Sequence, residues 1–310
     1  MTDERAAAQE AGSVEVAGVR LTHPDRVLFP GQGVTKRRLA EYYARVGERM
    51  LEHLAGRPVT LVRCPRGREE GCFYQKHPTE GLPREIGTVE LPEEEGSEEY
   101  LLVETVPALV ALAQVGTLEL HPWGSRSDRP DRPDRMILDL DPGRGVGWRQ
   151  VVEAATEVRR RLGDHELESF VKTTGGKGVH VVVPLDRRHP WEEVKGFARA
   201  VARSLEREEP ERYVSKAAKE AREGRVFVDY LRNARGATAV APYSTRARPG
   251  GPVAVPLGWE ELAAGEDRPA YDVETAPRRL AALGRDPWGE LGGVRQSIRK
   301  ASRKWAAGFA

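Results

Sequence analysis

Residues 136–143 read MILDLDPG, and they set two aspartates two apart inside the most apolar run of their neighbourhood. Read as a strand, this run sends successive side chains to opposite faces, so Asp139 and Asp141 leave the same face with Cα atoms about 6.6 Å apart. Two carboxylates aimed at one spot repel each other, and a cation held by both removes that penalty. The pattern therefore proposes a metal site. The same residues also suit a strand that ends in a Pro-Gly turn, where Asp is common, so the remainder of the chain decides between the two.

Working outward, 310 residues with 39% hydrophobic and 31% charged content are enough to bury one large core or two ordinary ones. No run approaches the roughly 20 apolar residues of a membrane-spanning helix, and the acidic start MTDERAAAQEAGS lacks the apolar core of a signal peptide, which makes the cytoplasm the expected location. Cys64 and Cys72 are the only cysteines, too few for a disulfide framework or a four-cysteine zinc site, and are expected to be reduced. The net charge of +1 hides a distribution, with acids crowded at 90–99 (ELPEEEGSEE). Nine of the 49 basic residues are lysines, and Lys36, Lys76, Lys172 and Lys177 fall in or beside candidate motifs.

The first 13 residues have the composition of a flexible tail, and residues 14–310 read as one bilobal catalytic domain, closed by a basic helical tail, VRQSIRKASRKW. VEVAGVRL alternates as a strand does. Thr35 suits an N-cap for a helix over TKRRLAEYYARVGERMLEHL. Strands are predicted at 59–63, 72–76, 100–103 and 117–121, then at RMILDLD, SFVKT, GVHVVVPL and RVFVDYL. Helical periodicity marks WRQVVEAATEVRRRL and about 191–207. Strands alternating with helices make this an α/β or α+β protein.

Four further signals carry chemistry. VKTTGGKGVHVVVPL (171–185) places three glycines around Lys177, which lets backbone amides and an ammonium approach a phosphate. It is neither a Walker loop nor a dinucleotide fingerprint, because a glycine follows the lysine and a strand follows the glycines. His180 stands two residues beyond. Asp229 in RVFVDYLRN makes a third strand carboxylate, and three such acids are the set that holds two divalent ions for in-line displacement at phosphorus. Arg246 and Arg248 in RGATAVAPYSTRARPG suit a triphosphate clamp. In GCFYQKHP, Phe73 or Tyr74 offers a stacking face beside Lys76, only one of the two because alternation separates them.

These segments, with HPDRVLFP, GVTKRRLAEYYARV, GRPVTLVRCP and HPWGSRSDRPDRPDRMILDLDPG, resemble the primase-polymerase domain of bacterial ligase D, of the archaeo-eukaryotic primase superfamily. The resemblance implies a primase-like fold of two joined modules, one with an RNA-recognition-like sheet, and an active site in the cleft. It implies a template-directed nucleotidyltransferase that fills short gaps in non-homologous end joining, prefers ribonucleotides and uses two Mn²⁺ or Mg²⁺ ions.

Residue by residue, it implies metal binding and catalysis for Asp139, Asp141 and Asp229, and nucleotide contacts for His121, Thr174, Lys177, His180, Arg222 and Arg246. His121 matches a histidine near the ribose 2′-hydroxyl. Phe73 and Lys76 correspond to DNA contacts, and Arg26 with Lys36 to the pair that grips a 5′-phosphate. Implied partners are gapped or end DNA, NTP or dNTP, a DNA ligase and a Ku-type end-binding protein. The chain lacks the lysine motif of a ligase, so it is expected to polymerise but not to seal. A metal-dependent nuclease or phosphatase using the same acids, and a non-catalytic end-bridging module, are the competing readings.

Overall fold

The computed structural model describes residues 12–307, so most of the predicted 1–13 tail lies outside it, and Ser13 already belongs to a strand. The described residues form two compact units, assembled from alternating stretches of the chain: those up to 122, 240–253 and 271–283 in the first, the intervening and final stretches in the second.

In the first unit the alternating run VEVAGVRL is a hairpin rather than one strand. Ala17 and Gly18, both at positive φ, turn β1 (Ser13–Val16) back into β2 (Val19–Thr22). A second short pair, β3 (Val27–Phe29) and β4 (Val34–Thr35), leads into α1 (Lys36–Leu54). Thr35 caps this helix by accepting from the Arg38 amide, and Leu39, Tyr42, Tyr43, Val46, Met50 and Leu54 form its buried stripe.

The unit's larger sheet is centred on β5 (Val59–Arg63), flanked by β6 (Phe73–Gln75) and later by β9 (Thr117–Pro122). The acidic stretch at 90–99, in which no strand is predicted before residue 100, forms the hairpin β7 (Gly87–Glu93) and β8 (Gly96–Leu102). On β7 exposed Thr88, Glu90 and Pro92 alternate with more buried neighbours, whereas residues 96–99 of β8 are exposed throughout, so the acidic ribbon offers little apolar period-2 signal. The apolar helix α2 (Val106–Gln114), capped by Thr105, packs against α1 and also lies outside the sequence prediction.

The structure corrects the reading of the cysteines. Arg63 lies opposite Phe73 in the antiparallel β5–β6 register, so the next pair outward is Cys64 and Cys72, and they form a disulfide. Register brings together what a cysteine count treats as bystanders.

In the second unit β10 (Arg135–Pro142) holds MILDLDPG and lies inside a six-stranded sheet. β12 (Val179–Pro184) flanks it on one side and β14 (Val226–Asp229) on the other. β11 (Phe170–Thr173), β13 (Tyr213–Val214) and β15 (Pro256–Leu257) complete the order β13-β14-β10-β12-β11-β15. Helices α3 (Trp148–Asp164) and α4 (Trp191–Glu208) pack on this sheet through the expected apolar stripes. Of the predicted basic helical tail VRQSIRKASRKW (294–305), the part from residue 298 on lies in α6 (Ile298–Ala307), which comes after the short α5 (Trp259–Ala264), while 294–297 are not helical and 308–310 lie outside the described chain.

Two glycines fix how closely the chain passes β10. A Cβ at Gly178 would stand 2.2 Å from the Leu140 carbonyl oxygen, and one at Gly143 would stand 1.6 Å from that of Arg222. Any side chain there forces the strands apart.

If the Cys64–Cys72 bridge closes this short loop, thiol alkylation before reduction should leave both residues unlabelled by mass spectrometry. Reduction should then cost about 2–3 kcal/mol of stability in denaturant titrations.

Candidate active site

The sheet of the second unit carries one row of ionisable side chains. Antiparallel register places Asp139 opposite His180 on β12 and opposite Asp229 on β14, and His180 opposite Lys172 on β11. Directly opposed residues share a face, so Lys172, His180, Asp139 and Asp229 line up across four strands, with Asp141 one step along. Ile137, Phe170, Val182, Trp288 and Leu291 pack into a buried apolar cluster that contains the next residue along from Asp139. The odd positions of β10 thus run from apolar contact into the acids.

Burying these charges is costly, and the site offsets the cost with cations. His180 Nε2 stands 3.5 Å from Asp139 Oδ1, and Arg232 Nε stands 3.4 Å from Asp139 Oδ2 and 3.6 Å from Asp229 Oδ2. Burial alone would raise Asp139. His180, Arg232 and Lys172 outweigh it and hold the carboxyl at about 2. Asp141 is pushed up to about 6, by burial and by Asp139 beside it, and burial likewise raises Asp229. His180, fully enclosed and near Lys172, is lowered to about 4 and is neutral at pH 7.

Among the described residues no three acidic, histidine or cysteine side chains converge into a ready metal cage. The donor set nevertheless suits hard divalent cations: three carboxylates on adjacent strands, mutually repelling, with the buried Oδ1 of Asp139 lacking any hydrogen bond. Arg222 lies over the Phe227 ring at 3.8 Å, and Phe227 pairs with Asp141, which brings this guanidinium to the acids.

The glycine loop is the β11–β12 hairpin. Thr174 Oγ1 donates to the Gly178 carbonyl at 3.1 Å and accepts from the Gly176 amide at 3.2 Å, so the hydroxyl expected to meet a phosphate braces the loop instead. Lys177 projects exposed from its tip.

A second cluster lies in the first unit. Glu119 and His121 share a face of β9, two residues apart. Glu119 Oε2 accepts from His121 Nε2 at 2.7 Å and from Arg246 Nε at 2.8 Å, while Oε1 accepts from the Ala247 amide at 2.7 Å. Burial would raise Glu119, but His121, Arg246 and that amide together hold it at about 2. The structure thus joins His121 and Arg246 through a carboxylate that the sequence reading passed over.

Arg26 is exposed, and its carbonyl accepts the Lys36 amide at 2.8 Å. Lys36 itself is buried at the start of α1, its Nζ donating to the Thr22 carbonyl at 2.7 Å and to Gln114 Oε1 at 3.2 Å. Burial and neighbouring Arg26 lower it to about 8. Phe73 and Tyr74 are 48% and 75% exposed, against the expectation that alternation would hide one of them. β6 is a three-residue edge strand. Lys76, just beyond, is exposed too.

Lys172, Arg232 and Glu119 are the residues of these clusters that sequence reasoning left unassigned. Each had a signal: Lys172 is a rare lysine facing His180 in a hairpin, Arg232 is three residues past Asp229, and Glu119 alternates with His121.

Residues 35–288 match the family described as LigD, primase-polymerase domain. The chain belongs to this family of nucleotidyltransferases. It is 41% identical over 301 residues to the multifunctional non-homologous end joining protein LigD of Pseudomonas aeruginosa, covering 97% of this chain and 36% of that protein. It is 37% identical over 252 residues to the Mycolicibacterium smegmatis protein of the same description, covering 81% and 33%. The chain therefore spans about a third of these relatives. A solved structure of the polymerase domain from Mycobacterium tuberculosis ligase D in complex with DNA matches with a TM-score of 0.83 and 35% identity, covering 89% of this chain and 98% of that one. The mixed α/β fold is accordingly primase-like. No described helix is long and apolar enough to cross a membrane.

The Glu119 hub gives a pH dependence with a definite sign. A carboxyl held at about 2 against an ordinary 4.5 contributes stability that is fully present above pH 4.5 and is lost as the pH falls toward 2. Glu119→Gln should lower stability at neutral pH by about 3 kcal/mol and flatten the curve between pH 5 and 2. Urea denaturation across that range measures both effects.

Proposed function

We propose that residues 14–310 act as one template-directed polymerase domain that fills short gaps at DNA double-strand breaks during end joining, adding ribonucleotides in preference to deoxyribonucleotides. The observation that carries this reading is the register of β10 and β14, which sets Asp139 opposite Asp229 with Asp141 one step along the same face. Membership of the LigD primase-polymerase family supports it.

In this reading Asp139, Asp141 and Asp229 would hold two Mn²⁺ or Mg²⁺ ions. Bound there, such ions lower the pKa of a primer 3′-hydroxyl and neutralise charge on the nucleotide triphosphate. The protein's own side chains do the rest. Lys177, on its exposed glycine tip, and Arg222 bind triphosphate oxygens, the guanidinium with fork geometry and the lysine as a point charge, and Arg246 is a further proposed nucleotide contact. Thr174 keeps the glycine loop in shape for that contact. Neutral His180 stands beside Asp139 without adding a proton to the row. Glu119 fixes the His121 ring, which then meets the ribose 2′-hydroxyl and favours ribonucleotides. Exposed Phe73 stacks on template DNA, and Lys76 contacts its backbone.

Arg26 and Lys36 form the proposed 5′-phosphate grip. Two of the three ammonium donors of Lys36 are already used, so it is a fixed charge behind the exposed Arg26. A DNA ligase and a Ku-type end-binding protein are the proposed partners.

A water-based hydrolase would use the same acids, but the cationic groups suited to a triphosphate favour nucleotidyl transfer. Primer extension on a short-gapped duplex with a 5′-phosphate, Mn²⁺ and ribonucleotides distinguishes the two. The unmodified protein should extend, and Asp139→Ala with Asp141→Ala should abolish extension while phosphate-dependent DNA binding persists. Extension by the double variant would sink the assignment.

Replacing Arg26 and Lys36 with Ala should remove the binding advantage of a 5′-phosphate and reduce the salt slope by about one for each phosphate charge left unneutralised. Affinity for the phosphorylated end should also fall as pH rises through 8, where free Lys36 gives up its proton. Fluorescence anisotropy with phosphorylated and unphosphorylated duplexes tests both.

A further inference from the structure

Arg232 sits at the acids in an unusual manner. Its Nε is within 4 Å of carboxylate oxygens on both Asp139 and Asp229, yet at 3.4 and 3.6 Å neither contact is a hydrogen bond. Its guanidinium makes no hydrogen bond among the described residues, and its side chain is 43% exposed, whereas those of Asp139 and Asp229 are 7% and 10% exposed. Charge, and no hydrogen bond, ties the head group to the two acids.

The backbone around it is fixed. Leu231 N donates to Asp229 Oδ1 at 2.7 Å. Asn233, 1% exposed, accepts from the Ile137 amide at 2.8 Å and donates to the Ile137 and Tyr230 carbonyls at 2.7 and 2.8 Å. Arg232 is thus a flexible side chain on a rigid tether, with open solvent on one side and two buried carboxylates on the other.

We infer that Arg232 is a built-in, displaceable counter-ion: it neutralises Asp139 and Asp229 until a divalent cation arrives and moves aside when one binds. The inference rests on the metal-binding reading of the three aspartates. A guanidinium and a divalent ion cannot both occupy the oxygens that face Arg232, so binding of one must weaken binding of the other by the same factor. The arrangement keeps the acid row folded without metal and sets the concentration at which metal enters. A guanidinium suits this task because it stays charged at any working pH and is weakly hydrated.

The test titrates Mn²⁺, followed by the electron paramagnetic resonance of the free ion, in the absence of DNA and nucleotide. Arg232→Ala should bind Mn²⁺ about five- to tenfold more tightly than the unmodified protein, the scale of two part-exposed ion pairs relieved. Its melting temperature should be lower in chelator and should rise further on adding Mn²⁺. Arg232→Lys, which restores the charge, should return the affinity toward that of the unmodified protein.

Equal or weaker Mn²⁺ binding by Arg232→Ala would overturn the counter-ion role, as would Arg232→Lys behaving like Arg232→Ala. Asp139→Asn separates the two levels. If the unmodified protein binds no Mn²⁺, or binds it as well with Asn at this position, the metal assignment itself fails. If binding needs Asp139 but ignores Arg232, only the inference fails.

Discussion

An ionised carboxylate can be buried only where positive charge is buried with it or held at its edge. Asp139 meets this condition inside a sheet. Lys172, two strands away in the same row, and Arg232, at 3.4 Å, supply the positive charge, while neutral His180 and the acid Asp229 are its direct cross-strand neighbours. The inner position of β10 suits this, since a carboxylate on an edge strand would have one such neighbour and solvent. The close approach of Gly178 to Leu140 and of Gly143 to Arg222 belongs to the same requirement, since both keep the flanking chain tight against β10.

The first unit solves a similar problem with the signs arranged about a different centre. Glu119 is buried on β9 and satisfied by an imidazole, a guanidinium and a backbone amide. In the first unit two of the groups that make the buried acid tolerable, His121 and Arg246, are groups with a proposed role toward a ligand. Cohesion and recognition there draw on the same side chains, and a substitution aimed at one will disturb the other.

Much of this was legible in the sequence. Hydrophobic periodicity found α1, α3 and α4, because each buries a stripe spaced at three and four residues, and it found the central strands because their apolar runs are β-branched. It missed β7 and most of β8, because the acidic residues leave few apolar positions and residues 96–99 are exposed throughout, and α2, whose run of Val, Ala and Leu carries little polar contrast to set a period. The three aspartates stood out because charge is rare in such strands. Glu119 and Arg232 did not, because pairing across strands and along a turn depends on register, which composition does not encode. The disulfide was lost for the same reason: Cys64 and Cys72 are opposed only once β5 and β6 are aligned.

Asn233 adds a constraint of another kind. Its side-chain amide takes up the N–H and C=O of Ile137 that a longer β14 would otherwise have paired, so the strand stops at Asp229 while both of these β10 groups stay bonded. The four steps from Asp229 to Asn233 work as a ruler, with the acid at one mark, the amide at the other and Arg232 between. Letters can change along that ruler, but its length cannot. One residue inserted or deleted there would leave the amide facing the wrong peptide, and no compensating substitution elsewhere in the sheet could restore the measure.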